Sequence, residues 1–355
     1  MRVLICGGGV IGAAIAYFLS RRGAEAVVIE RTGLACAASG KSGGFLALDW
    51  CDGSPLAALA RRSFALHAEL ARTIGGDWGY RRLDTYGGFA RAGRDGIDWL
   101  SPQAHRQRRL GSTDSTAQVD PGAFTAALMR AAETHGAVLR SGTVTGMVRD
   151  ADGSRVRGVM VDGEQVAGDA VVIAMGPWSI LATQWLPLPA VFGLKGHSLV
   201  FETGAQVPAQ AAFVEYQEAS GDVHAPELFP RADGTTYVCA ISSEAPLPVD
   251  PADVAPDPGA IDRLAAMCSH LSPLLGQAPV RARQACHRPV TRDGLPLIGA
   301  VPGVANAYVA TGHSVWGILN APATGEAVAA LIMDGAAGTV DLRPFAPQRL
   351  PTFDP

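Results

Sequence analysis

Three glycines near the start of the chain, Gly7, Gly9 and Gly12, carry the first chemistry legible in the sequence. They stand in GxGxxG spacing directly after the apolar run Val3–Cys6. Ala13–Arg22 follows as a predicted helix that stops at Gly23. A second apolar run, Ala26–Ile29, ends in Glu30, roughly 20 residues past the glycines, as a dinucleotide fingerprint requires. Each part has a physical task. Gly7 makes the strand-to-helix turn, Gly9 lets backbone approach a pyrophosphate, and Gly12 lets helix and strand pack closely. The helix N-terminus offers free N–H groups and the positive end of its dipole. Glu30 can accept hydrogen bonds from an adenosine ribose. The fingerprint leaves open NAD, NADP or FAD, although Glu30, with only Arg31 as a nearby base, argues against NADP.

Other reactive side chains are sparse. The 29 basic residues include only two lysines, Lys41 and Lys195. The six cysteines (Cys6, Cys36, Cys51, Cys239, Cys268, Cys286) are widely spaced, with no CxxC pair and no histidine cluster at metal spacing. That pattern predicts reduced, intracellular cysteine and no metal site. A net charge of −4 gives no electrostatic case for nucleic acid or an anionic membrane. Arg106, Arg108 and Arg109 read as a solvated loop. The nucleotide strand begins too early to leave room for a secretory signal, and no apolar run is seen to reach the ~18 residues of a membrane helix. A cytoplasmic protein is expected.

The elements that must position these groups follow from pattern and punctuation. Pro55–Ile74 reads as helix and Ser101–Gln118 as a polar loop. Asp120-Pro121 caps a helix to about His135, Asp accepting from free N–H groups and Pro occupying the first helical position. Val138–Val148 and Arg155–Val161 read as strands joined through Asp152-Gly153, a hairpin turn signal. Asp169–Ala174 reads as a buried strand running to Gly176. The five prolines of Pro246–Gly259 mark a surface loop, and Ile261–His270 a helix. Tyr216, Tyr237 and Trp316 are candidate pocket-lining aromatics. Nucleotide-site features at both ends and in the middle predict a discontinuous nucleotide domain.

Together the GGGVIG segment with Glu30, SGKSGG (39–44), VDPGAF (119–124), VVIAMGPWS (171–179), CHRPVTRDGLPLIG (286–299) and AYVATGHSVWGILNAPATGEAVAALI (307–332) resemble the FAD-dependent amino-acid and amine oxidases. These are the D-amino-acid oxidase-like flavoproteins, which include glycine oxidase and monomeric sarcosine oxidase. The resemblance implies an α/β fold: a discontinuous doubly wound FAD-binding domain and a second, mostly antiparallel α+β substrate domain. The FAD-binding domain is expected over 1–49, 119–192 and 284–345, and the substrate domain over 50–118 and 193–283.

It also implies site roles. Gly7, Gly9, Gly12 and Ser39 would hold the pyrophosphate and Glu30 the ribose. Val144 would lie along the adenine, with Gly176 and Trp178 closing that side. Gly43, Gly44 and Phe45 would pass one face of the isoalloxazine. Gly312, His313, Gly317 and Ile318 would lie at its pyrimidine edge, ahead of a helix whose N-terminus stabilises the reduced ring. Arg288 would anchor a substrate carboxylate through two parallel hydrogen bonds. Cys286, with Thr291 and Asp293 after it, falls where sarcosine oxidases attach FAD covalently, whereas glycine oxidases hold it noncovalently. The oxygen-activating lysine of sarcosine oxidase has no counterpart in Thr235–Ile241. Lys41 is the substitute candidate, and Lys195 reads as structural.

The activity so implied is oxidation of the C–N bond of a small amino acid or amine, of glycine, sarcosine or N-substituted glycine type. Hydride passes to flavin N5, the imine hydrolyses, and O2 is the expected acceptor. Three alternatives stand beside it. One is a flavin dehydrogenase feeding a quinone or protein. Another is an NAD-linked dehydrogenase, and the last a flavin-binding interaction protein without catalysis. Fold and chemistry are separate claims.

Overall fold

The computed structural model describes residues 1–89, 97–104, 108–218 and 221–354. Arg106 of the basic run therefore lies outside the described residues.

Two large sheets dominate. The first has six strands in the order Leu297–Ala300, Ala307–Thr311, Ala170–Ile173, Arg2–Cys6, Glu25–Glu30, Val138–Ser141. All neighbours are parallel except the first pair. Its central strands read as continuous apolar runs because both faces are covered: Val3 and Ile5 pack on helices, while Leu4 and Cys6 pack against Val156 and Val159 of a small three-stranded sheet. Val3, Leu4, Ile5 and Cys6 are fully buried. The helix Val10–Ser20 lies against it, flanked by the helices Gly317–Asp334 and Pro121–Glu133. The latter is capped as its sequence predicts, with Asp120 Oδ1 accepting from the Ala123 N–H at 2.7 Å.

The second sheet runs Val280–Val290, Phe192–Glu202, Thr235–Ser243, Glu227–Pro230, Gln210–Gln217, Asp84–Phe89, Arg108–Gly111. It is antiparallel except where Gln210–Gln217 meets Asp84–Phe89. Its outer face is closed by the helix Ala260–Leu271, whose Leu264, Met267 and Cys268 join Leu199 and Val238 in one apolar cluster.

Three sequence expectations need correction. The predicted strand Val138–Val148 is two strands: Gly142, at φ +156°, breaks it, and Val144–Arg149 departs into a separate three-stranded sheet. Ser101–Gln118 is not all loop, because Arg108–Gly111 and Thr116–Gln118 are strands and Arg109 pairs with Asp84. The Pro246–Gly259 segment is the surface loop expected, with Val249 exposed, and it is tied down. Trp178 Nε1 donates to Pro248 O at 2.7 Å, Arg31 donates to Val249 O at 3.0 Å, and Lys195 Nζ bonds Asp257 at 2.6 Å. Lys195 is thus structural, tying the second sheet to this strap. Finally, Ser314–Asp334 is long and apolar enough to cross a membrane, by length and composition. Most of it is buried inside the fold, which makes it a core helix.

Candidate functional site

A cavity of about 450 Å³ runs from the ends of the parallel strands to the inner face of the second sheet. At one end the backbone shapes it. Gly7 takes φ +112°, and a Cβ there would lie 2.4 Å from Ala174 O. A Cβ on Gly12 would lie 2.0 Å from Gly7 O, so only glycine allows this helix to start so near its strand. Gly12 does not line the cavity; it acts by packing. Ser39 Oγ accepts from Val10 N–H at 2.9 Å, locking the Ser39 segment onto the helix N-terminus. The Glu30 carboxylate accepts from Gly8 N–H at 2.7 Å and Thr32 N–H at 2.8 Å, which fixes it at the cavity wall.

Gly7, Gly9, Glu30, Ser39, Val144, Gly176 and Trp178 line this end. Further along, Gly43, Cys286, Arg288, His313, Gly317 and Ile318 line the same space. Gly44 and Phe45 face instead a smaller adjoining chamber of about 220 Å³, which Gly43 and Ile318 also touch. Gly312 supports the turn after Thr311, where a Cβ would meet the Thr291 methyl at 2.8 Å. Lys41 ends the short helix Ala38–Lys41 and is not among the lining residues, although its charge acts on the Cys286 thiol. Of the three candidate aromatics, Tyr237 lines the main cavity and Trp316 the smaller chamber. Tyr216 is elsewhere, its hydroxyl 3.3 Å from His270 Nδ1.

At the far end side chains do the work. Residues two apart on a strand share a face, so Cys286 and Arg288 project together from Val280–Val290. Gly196 sits opposite Cys286 on the neighbouring strand, and a Cβ there would be 3.9 Å from Arg288 Nε. Arg288 lies across that strand beside Gly196, and its Nη2 donates to Ser242 Oγ at 2.7 Å. Arg288 Nε has no hydrogen-bond partner among the described residues. Burial pushes the Cys286 thiol up, against the pull of Arg288 and Lys41. Thr291 and Asp293 close a turn, the Thr291 hydroxyl donating to Leu295 O at 2.6 Å and Asp293 pairing with Arg349.

Sequence reading missed Glu227. It sits in Glu227–Pro230, lines both the cavity and the smaller chamber, and burial pushes its carboxyl up. Cys239 Sγ, directly across the ladder, lies 3.6 Å from Glu227 Oε2. A carboxylate inside the apolar run Pro226–Pro230 was the available signal, since a charge there needs a reason.

The helix beginning at Gly317 points its N-terminus into the cavity, and two residues of another helix make that possible. Pro322 lies inside it and has no N–H to offer Ile318 O. His67 supplies the missing donor: its Nε2 lies 2.9 Å from Ile318 O and 3.2 Å from Leu319 O. Ser63 Oγ accepts from Ala323 N–H at 2.9 Å. Burial lowers the His67 pKa to about 4, so the ring is neutral and its Nε2 carries the proton. His313, buried beside the same helix with Nε2 3.1 Å from Thr324 Oγ1, is lowered to about 3.

The family of FAD dependent oxidoreductases (DAO) matches residues 2–331. The chain belongs to this family. A Schizosaccharomyces pombe protein, named only provisionally as an oxidoreductase, is 30% identical over 98% of this chain and 97% of its own. Glycine oxidase of Geobacillus kaustophilus is 28% identical over 97% and 96%. A crystal structure of glycine oxidase from that organism superposes with a TM-score of 0.82 at 27% identity, covering 98% of this chain and 99% of the other. The fold is therefore that of the family, and the cofactor is FAD. The residues fit it. Helix-start N–H groups and Glu30 stand at the dinucleotide end, and the cavity continues past Gly43 to the second sheet.

Proposed function

We propose that this FAD-dependent oxidoreductase oxidises the C–N bond of a small amine that carries a carboxylate, giving an imine that hydrolyses in water. When bound, FAD supplies the two-electron sink. The chain's own residues bind and orient the substrate, since placing the reacting carbon correctly is the larger part of the catalysis. Arg288 is proposed to hold the carboxylate. The observation that carries this is a guanidinium in the cavity wall with a neutral hydroxyl as its partner and Nε unpaired. The positive end of the Gly317–Asp334 helix favours negative charge arriving at its N-terminus.

O2 is the proposed acceptor, with Lys41 and Arg288 as the cations whose fields reach the flavin end at Cys286. FAD is proposed to be held without a covalent bond, because the buried Cys286 favours its thiol over the thiolate that alkylation chemistry uses.

Replacing Arg288 tests the carboxylate anchor. Arg288→Ala is expected to lower kcat/KM by about 100-fold or more, as truncating a buried charged partner costs some 2–5 kcal/mol. Arg288→Lys does not restore it, because lysine lacks the planar fork. Turnover and substrate affinity unchanged in Arg288→Ala overturn the assignment.

A further inference from the structure

Arg288 and Glu227 are opposite charges on one face of one sheet, lining one cavity, and they are not paired with each other. Arg288 spends its described hydrogen bond on Ser242. Glu227 has only the Cys239 thiol as a described partner, at 3.6 Å. Three strand-to-strand steps separate them, from Val280–Val290 through Phe192–Glu202 and Thr235–Ser243 to Glu227–Pro230. Each step is about 4.8 Å, and Arg288 crosses only the first two, over Gly196 to Ser242. The sheet thus holds a cation and an anion apart. Arg288's charge acts on Glu227 only across this gap, with no direct ion pair; a charge in an apolar wall is costly without a close partner, and a ligand bearing both charges relieves both.

The smaller chamber says what lies beyond the nitrogen. Its walls include Phe45, Trp50, Phe213, Phe229 and Trp316. The rings brace one another: Phe45 stacks on Phe229 at 5.3 Å and 9°, and Trp50 leans on Phe213 at 4.8 Å. At about 220 Å³ it exceeds the roughly 150 Å³ apolar cavity that takes up benzene. Glu227 lines both spaces and so stands at their junction.

We propose that Glu227 recognises the positively charged nitrogen of the substrate, and that a phenyl-sized apolar group attached to that nitrogen fills the aromatic chamber while the carboxylate meets Arg288. The substrate class is then an amino acid with a bulky N-substituent rather than glycine. Burial lifts the Glu227 carboxyl above its ordinary range against the pull of Cys239 and of Arg288's charge, so a cation arriving beside it favours the ionised form. This inference rests on the carboxylate-amine reading above.

Two isosteric probes isolate the nitrogen: N-benzylglycine, and benzyloxyacetate, in which an ether oxygen replaces the ammonium. Binding to the FAD-loaded protein is read from flavin absorbance changes in the absence of oxygen, using bleaching rates against concentration if the amine reacts. Wild-type protein is expected to bind the amine at least tenfold more tightly than the ether. Glu227→Gln, checked by its flavin spectrum for intact folding, is expected to lose at least tenfold of that preference. N-benzylglycine is expected to bind better than phenylalanine, whose ring hangs from the α-carbon. Equal affinity for amine and ether in wild type, an undiminished preference in Glu227→Gln, or tighter binding of phenylalanine each overturns the proposal. A Glu227-dependent preference without any bleaching upholds the recognition site and removes the oxidation reading instead.

Discussion

Glu30 and Arg288 stand at opposite ends of the same cavity, and their neighbours differ in kind. Around Glu30 the partners are backbone N–H groups, and the local shape is set by glycines whose missing side chains are replaced by carbonyl oxygens at 2.0 and 2.4 Å. Around Arg288 the surroundings are side chains from several strands: Ser242 accepts its hydrogen bond, and Cys286, Cys239 and Glu227 line the same space. A backbone site of this kind binds the dinucleotide by shape and tolerates little substitution. A side-chain site on a sheet face can be rewritten residue by residue while the sheet stays as it is.

The largest expected effect lies at the backbone end. Gly12→Ala drives a methyl into Gly7 O, so the protein is expected to purify without flavin or not to fold, read as absorbance at the flavin band per mole of protein. A variant with full flavin content would show that the cradle is as adjustable as the sheet face. Next in size is the Arg288→Ala loss of about 100-fold, which should leave flavin content intact and so separate the two ends.

A third perturbation falls between them. His67→Ala removes the donor that serves Ile318 O and leaves a gap beside Phe124, and is expected to cost about 2–4 kcal/mol of stability by denaturant unfolding. His67 also sets a pH dependence. Its folded pKa of about 4 lies below the unfolded value near 6.5. Between those values the unfolded chain binds the extra proton, so stability falls as pH drops through that window, by up to about 1.4 kcal/mol per unit. His313 adds a slope of the same sign. His67→Ala should flatten its share of that slope, and an unchanged slope would remove His67 as the cause. The smallest effect concerns Cys286. Acid precipitation is expected to leave the flavin in the supernatant, whereas flavin in the pellet would mean a covalent link.

The same contrast explains what could be read from the chain. Strand, glycines, helix, second strand and Glu30 are contiguous, so their spacing carries their geometry. Arg288 and Cys286 were visible because a motif surrounds them. Glu227 was not, because its meaning comes from Cys239 and Arg288, which pairing in three dimensions brings near. His67 escaped for a similar reason: its task is to serve a carbonyl freed by Pro322, some 250 residues away. The Gly142 break was missed because a two-residue interruption between Val138–Ser141 and Val144–Arg149 leaves strand propensity on both sides, while the positive φ at Gly142 sends the chain into another sheet.

The central claim is amine oxidation at the Arg288 end of an FAD cavity, and anaerobic titration of the purified yellow protein tests it most directly. Glycine, sarcosine and N-benzylglycine would be added in turn while the flavin band near ~450 nm is followed. The account predicts bleaching by at least the N-substituted member and recovery of the band when air is admitted. A band that no carboxylate-bearing amine bleaches would contradict it.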